Sequence, residues 1–243
     1  MAPGHGPGAP ATTDGAALAA LTAELVDCRR CPRLVAWREH VASEKVARFR
    51  DETYWARPVP GFGDPDARIL LLGLAPAAHG GNRTGRVFTG DASGDFLWAA
   101  LHGVGLADRP ASRRADDGLT LVDTYIAAAV RCAPPANKPT IEERDTCAPW
   151  LAAELRLLTR VRVIVALGAF GWDAGLRVLA GMGQGVRPKP RFGHGAEALV
   201  GPYRLLGTYH PSQQNTFTGV LTPPMLEAVL RRAMATAAEP RPG

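Results

Sequence analysis

At 243 residues, with 46% hydrophobic and 21% charged side chains, the chain has the composition of a folded domain able to bury a sizeable core. That sets aside a peptide module, a fibrous repeat and wholesale disorder. The most apolar uncharged stretches, 69–81 and 163–172, fall well short of the roughly 20 residues a spanning helix requires, so no membrane partner is expected. A net charge of +5, from 28 basic and 23 acidic residues, and an isoelectric point near 9.3 suit a polyanionic partner without specifying one. No Lys or Arg precedes Arg29 and Asp14 interrupts the leader, so no secretory n-region is legible and a cytoplasmic, monomeric protein is expected.

Residues 1–16 are almost entirely Gly, Ala, Pro and Thr and read as a disordered tail, with 239–243 as a second flexible end and 17–238 as one domain. Within it, AALAALTAELV (16–26) has helical spacing and runs into Cys28. Short apolar runs then alternate with helical patterns. Residues 67–76, 124–132, 161–168 and 203–211 read as buried strands, and 95–106, 141–160 and 171–181 as helices. A last helix is predicted from Thr222 as N-cap with Pro223 behind it. Alternation of this kind implies parallel crossovers and hence a three-layer α/β/α fold with a central parallel sheet. Ligands of such sheets bind beyond the carboxyl ends of the strands. The three most unusual loops, after Pro76, Cys132 and Pro211, all begin there and are expected to converge.

The four cysteines form a C-x2-C pair, Cys28 and Cys31, and a distant pair, Cys132 and Cys147. A metal centre explains them better than disulfides in a cytoplasmic protein. Spacing alone leaves zinc, iron-sulfur and unrelated buried thiols open.

Four segments together resemble the uracil-DNA glycosylase superfamily, in its iron-sulfur branch and family 5 (type B). They are CRRCPRLVAWRE, GLAPAAHGGNRTGRVFTGDASGD (73–95), AAAVRCAPPANKPT (127–140) and HPSQQNTFTG (210–219). The resemblance covers about residues 20–235. It implies a 4Fe-4S cluster on Cys28, Cys31, Cys132 and Cys147, held in a structural role. It also implies hydrolysis of the N-glycosidic bond of uracil and other deaminated bases, such as hypoxanthine, in double-stranded DNA, leaving an abasic site.

A base inside a duplex must be flipped out before it can be cut. The resemblance implies that the loop 212–219 is the wedge, with Gln213, Gln214 and Asn215 filling the vacated space. His210 would donate a hydrogen bond to the departing base as it becomes anionic. The segment 73–76 (GLAP) lacks the polar residue that other branches use to position water, leaving Ala75 as an apolar contact. Asp91 is then implied as the carboxylate, with helix capping its alternative role, and Asn137 as a further polar group. Phe88 matches the aromatic that stacks on the flipped base, and His79 and Asn82 share its loop as candidate substrate contacts. Arg86, with Lys138, Arg29, Arg30 and Arg33, is a candidate for neutralising phosphates. The competing reading is a non-catalytic iron-sulfur protein that binds DNA or carries electrons, favoured by the missing carboxylate at 73–76.

Overall fold

The computed structural model describes residues 13–239. Helix α1 (Thr13–Leu25) takes in the last four residues, 13–16, of the segment read from composition as a tail. The rest of that tail and residues 240–243 lie outside the described residues. Helix α2 (Pro32–Glu44) follows the CRRC pair, with Pro32 where a helix needs no N–H. Sequence reading passed over it because its buried apolar residues, Leu34, Val35 and Val41, are separated by charges.

Six strands, β1 (Phe62–Gly63), β2 (Ile69–Gly73), β3 (Thr124–Ala128), β4 (Val163–Leu167), β5 (Glu197–Val200) and β6 (Tyr203–Thr208), form one sheet in the order β1-β3-β2-β4-β6-β5. The four central strands are the expected parallel ones; Leu71 lies opposite Ile126 on one side and Val165 on the other. Two short antiparallel strands, absent from the sequence reading, close the edges. A two-residue strand and one that exposes Glu197 and Leu199 carry too little apolar pattern to be read, and short edges of this kind resist pairing with a second sheet.

Alternation along β2 builds the layers, because successive side chains leave a strand on opposite faces. Ile69 and Leu71 pack with Trp98 and Leu101 of α4 (Ala92–Gly103) and Leu226 and Leu230 of α8 (Pro223–Ala238). Leu70 and Leu72 face Leu151 and Leu155 of α5 (Ile141–Leu157) and Trp172 and Leu179 of α6 (Ala169–Gly181), with Leu18 of α1 joining them. All four β2 residues are fully buried, each contributing about 1.5–3 kcal/mol. Two short helices, α3 (Gly81–Thr84) and α7 (Gln213–Phe217), lie inside the loops expected to converge. No helix among the described residues is long and apolar enough to cross a membrane.

Candidate active site and cysteine centre

The loops after β2, β3 and β6 meet over the carboxyl ends of the central strands and enclose a cavity of about 310 Å³, lined by Ala75, Phe88, Asp91, Asn137, His210 and their neighbours. That is the lower end of the range for small-molecule sites. Its floor at Leu74, Ala75 and Pro76 is apolar, and its polar groups come from three distant parts of the chain.

Phe88 sits in a left-handed conformation (φ 50°), which an aromatic residue adopts only under constraint. Two neighbours supply it. The buried Trp98 indole donates to the Phe88 carbonyl at 2.6 Å, and Gly94 leaves room for that carbonyl, since a Cβ there would lie 1.9 Å from it. The Phe88 ring stands 6.0 Å from the His210 ring, centroid to centroid, tilted by 34°.

His210 lies two residues beyond the end of β6. Asn215 Nδ2 donates to the His210 carbonyl at 2.9 Å, and Ser212 caps α7, so the helix fixes where the imidazole stands. Burial pushes its pKa down to about 4, leaving a neutral ring whose N–H can donate at pH 7.

Asp91 combines two roles that sequence reading set against each other. Its Oδ1 accepts from Gly94 N at 2.9 Å as the N-cap of α4, while the carboxylate also lines the cavity. The other oxygen lies against Gly80, where a Cβ would approach it to 1.9 Å; position 80 must lack a side chain for the carboxylate to fit. Burial raises the Asp91 pKa above the ordinary carboxylate range, against the opposing hydrogen bond from Gly94. Asn137 and the preceding Ala136 are both left-handed (φ 56° and 52°), in the turn that carries Asn137 to the mouth.

Other candidates are placed elsewhere. Asn82 is fully buried and donates to the Arg38 carbonyl, so it reaches no substrate. His79 accepts or donates a 2.9 Å hydrogen bond with the Tyr54 hydroxyl and is not among the residues lining the cavity. Arg86 is 5% exposed, and its guanidinium is consumed by Thr89, Ser112, Asp117 and the carbonyls of Arg114 and Ala115. It is a scaffold residue and no phosphate contact, because the guanidinium is buried and turned inward to these partners. Arg29 and Arg33 are held by Glu39 and Glu143, and Arg30 stacks on Trp150. In the wedge segment Gln213 and Gln214 are exposed, but Asn215 is turned inward to His210. Phe217, which the sequence reading did not single out, is 80% exposed; it is the lone aromatic in SQQNTFTG, and that was the available signal.

The four cysteines line a second cavity, between the start of α2, the segment after β3 and α5. Burial pushes the Cys132 thiol up to about 11 and the Cys147 thiol to about 12, so the bare sulfurs keep their protons unless a cation takes them. Arg38 donates to Cys132 Sγ at 2.9 Å and the Arg131 backbone N–H to Cys147 Sγ at 3.3 Å. Among the described residues no three His, Cys, Asp or Glu side chains are grouped as ligands of a single ion. Cys31 and Cys132 pack with Leu34, Val130 and Ala75, which joins this centre to the cavity floor.

Residues 60–233 match the uracil DNA glycosylase superfamily. The chain belongs to that superfamily. Within it, the chain is 58% identical over 215 residues to the type-5 uracil-DNA glycosylase of Mycobacterium tuberculosis, covering 88% of this chain and 79% of the relative. The type-5 uracil-DNA glycosylase of Thermus thermophilus is 58% identical over 210 residues (86% and 93%), and that of Pyrobaculum aerophilum 47% over 213 (88% and 90%). A type-4 uracil-DNA glycosylase of Pyrobaculum aerophilum is 30% identical over 186 residues. Within the superfamily the chain is therefore of type 5.

Proposed function

We propose that this chain hydrolyses the bond between uracil and deoxyribose in double-stranded DNA, accepts hypoxanthine as well, and leaves an abasic site. The observation that carries the reading is the meeting of Phe88, His210, Asp91 and Asn137 in one cavity with an apolar floor. An aromatic face binds any planar base. Breaking the glycosidic bond sends negative charge onto the base and leaves positive charge on the sugar. The neutral His210 donates to the base oxygen as charge builds there, and Asp91 stabilises the sugar cation or orients water. The Asn137 amide adds a donor and an acceptor at the mouth. With no polar side chain at 74–76, the floor imposes no hydrogen-bond pattern, which is compatible with a purine as well as a pyrimidine.

The exposed segment of α7 then enters the duplex, with Gln213 and Gln214 toward the orphan base and Phe217 in the stack. Its large exposed ring gains by leaving water, which offsets part of the few kcal/mol of unstacking.

The four-thiol donor set around the cysteine cavity supports a 4Fe-4S cluster as its occupant. Each thiolate of such a cluster holds a different iron, so the ligands surround one cavity without crowding around one point. Bound there, the cluster supplies cross-links among α2, the segment after β3, and α5; the chemistry of base removal needs none of its electrons.

The test is a uracil-containing duplex incubated with purified protein and then treated with alkali. Free uracil and an alkali-labile strand support the reading. Intact strands with bound DNA favour a non-catalytic role. Four irons per chain and a brown solution support the cluster, and a colourless, iron-free, zinc-loaded protein overturns it.

A further inference from the structure

Beside the base cavity lies a larger open groove of about 820 Å³, whose walls include Arg48, Phe49, Arg83, Gly90, Arg113 and Arg114. Gly90 borders this groove and Asp91 borders the base cavity, so a single peptide unit separates them. We propose that the groove seats the sugar-phosphate backbone of the damaged strand next to the flipped nucleotide, a reading that rests on the proposed glycosylase activity.

Two buried arginines build it. Arg86 gathers Ser112, Asp117 and the carbonyls of Arg114 and Ala115, tying down the turn that turns Arg113 and Arg114 outward. Arg83 joins the Glu52 carboxylate, the His79 carbonyl and the Gly90 carbonyl, fixing the opposite wall to the loop that ends in Asp91. The side chains displayed on this scaffold are cationic and accessible. Arg113 and Arg114 are 65% and 74% exposed, and Arg48 is exposed with no carboxylate partner among the described ion pairs.

The acids nearby pair with three of the four guanidinium groups and leave Arg48 in excess. Glu52 is committed to Arg83, while Asp95 and Asp116 hold Arg113 and Arg114 at 3.2 and 2.8 Å in exposed pairs. Exposed pairs contribute little and exchange readily for a phosphate. Phe49 lies against two guanidinium groups, with Arg83 3.9 Å and Arg48 4.8 Å from its ring centre, so the ring holds these cations in the groove wall. An open groove displaying several guanidinium groups, one peptide unit from a cavity sized for a base, matches a nucleotide chain better than an isolated anion.

The experiment compares two double variants. Arg48→Ala/Arg113→Ala strips the groove. Arg156→Ala/Arg160→Ala removes the same charge near the start of β4, at the other end of the sheet, and controls for the long-range field. Affinity is read on a non-cleaved duplex across a salt series, with single-turnover rates at saturating uracil-DNA. The groove variant is expected to bind about tenfold more weakly and to lower the log-log salt slope by about 2, near 0.9 for each lost contact. Its affinity should fall by a larger factor than its rate at saturation, and the control should shift affinity far less.

Duplexes truncated on either side of the uracil supply the decisive arm. Shortening the side that occupies the groove should weaken the unsubstituted protein and abolish the difference between it and the groove variant, while shortening the other side leaves that difference intact. Unchanged affinity and slope, equal effects of both double variants, or a deficit indifferent to both truncations would each overturn the proposal. Binding is read without excision. Failure of the glycosylase reading would appear as intact binding with no free uracil, whereas failure of the groove appears as intact excision with unaltered binding.

Discussion

Replacing Asp91 by Asn separates structure from chemistry at one residue. Asn keeps an oxygen to accept from Gly94 N at the start of α4 and is as good a cap as Asp, so the helix loses little. Ala would lose about 1 kcal/mol of cap, a factor of about 5 in the folding equilibrium. The neutral amide also removes a charge that burial disfavours. Because Asp91's folded pKa lies above its unfolded value, the native state binds more protons between the two, and stability falls as pH rises through that window. Asn lacks this loss. The variant should therefore gain on the unsubstituted protein from pH 4 toward pH 8 in urea unfolding. Single-turnover excision should move the opposite way. Loss of the carboxylate should slow hypoxanthine removal on the order of 10²-fold, and uracil, whose anion is the more stable leaving group, by less. An Asn variant that excises both bases at full rate would confine Asp91 to capping. One that is less stable at pH 8 than at pH 5, relative to the unsubstituted protein, would refute the account of its burial.

Substituting His210 by Ala should slow excision by about 10²-fold or more with little change in duplex affinity. Because its pKa is near 4, the rate should show no His210 inflection around pH 6.5; one that vanishes in the variant would mean that the imidazolium is the active form. Trp98→Phe leaves the Phe88 carbonyl without its donor, at about 1–3 kcal/mol, and should raise half-saturation for damaged duplex more than it lowers the saturated rate. Any of Cys28, Cys31, Cys132 or Cys147 changed to Ala should lower iron content and soluble yield together, and full iron in such a variant removes that residue from the ligand set. Arg86→Met should cost on the order of 3 kcal/mol at pH 7, because Asp117, whose carboxyl is held well below the usual range partly by that guanidinium, keeps only the backbone N–H groups of Arg113, Arg114 and Leu119. The loss should shrink as acid protonates Asp117.

The central strands were legible because each is built on a short, mostly apolar run, as a strand buried on both faces requires, and the convergence of three loops followed from their parallel order. Phe88, Asp91, Asn137 and His210 were found through motif resemblance, since none lies in a periodic pattern. Arg86 and Asn82 misled for a common reason. Sequence supplies their chemistry but not the depth at which the loop 77–91 folds back on itself, and both side chains satisfy that loop from inside. Phe217 was passed over because one aromatic in a polar segment reads as ordinary core until its exposure is known.

The cavity's walls are synthesised at long intervals: Phe88 and Asp91 follow β2, Asn137 follows β3, and His210 follows β6, which takes its place beside β4 only after most of the chain has been made. A nascent chain ending near residue 200 carries the aromatic, the carboxylate and the amide but lacks both the strand that completes the parallel core and the imidazole behind it. On the roles proposed for these residues, leaving-group stabilisation arrives with the final crossover, together with α8, which packs across β2, β4 and β6. A chain ending near residue 200 is then expected to release no base, with excision beginning only once the fold has closed.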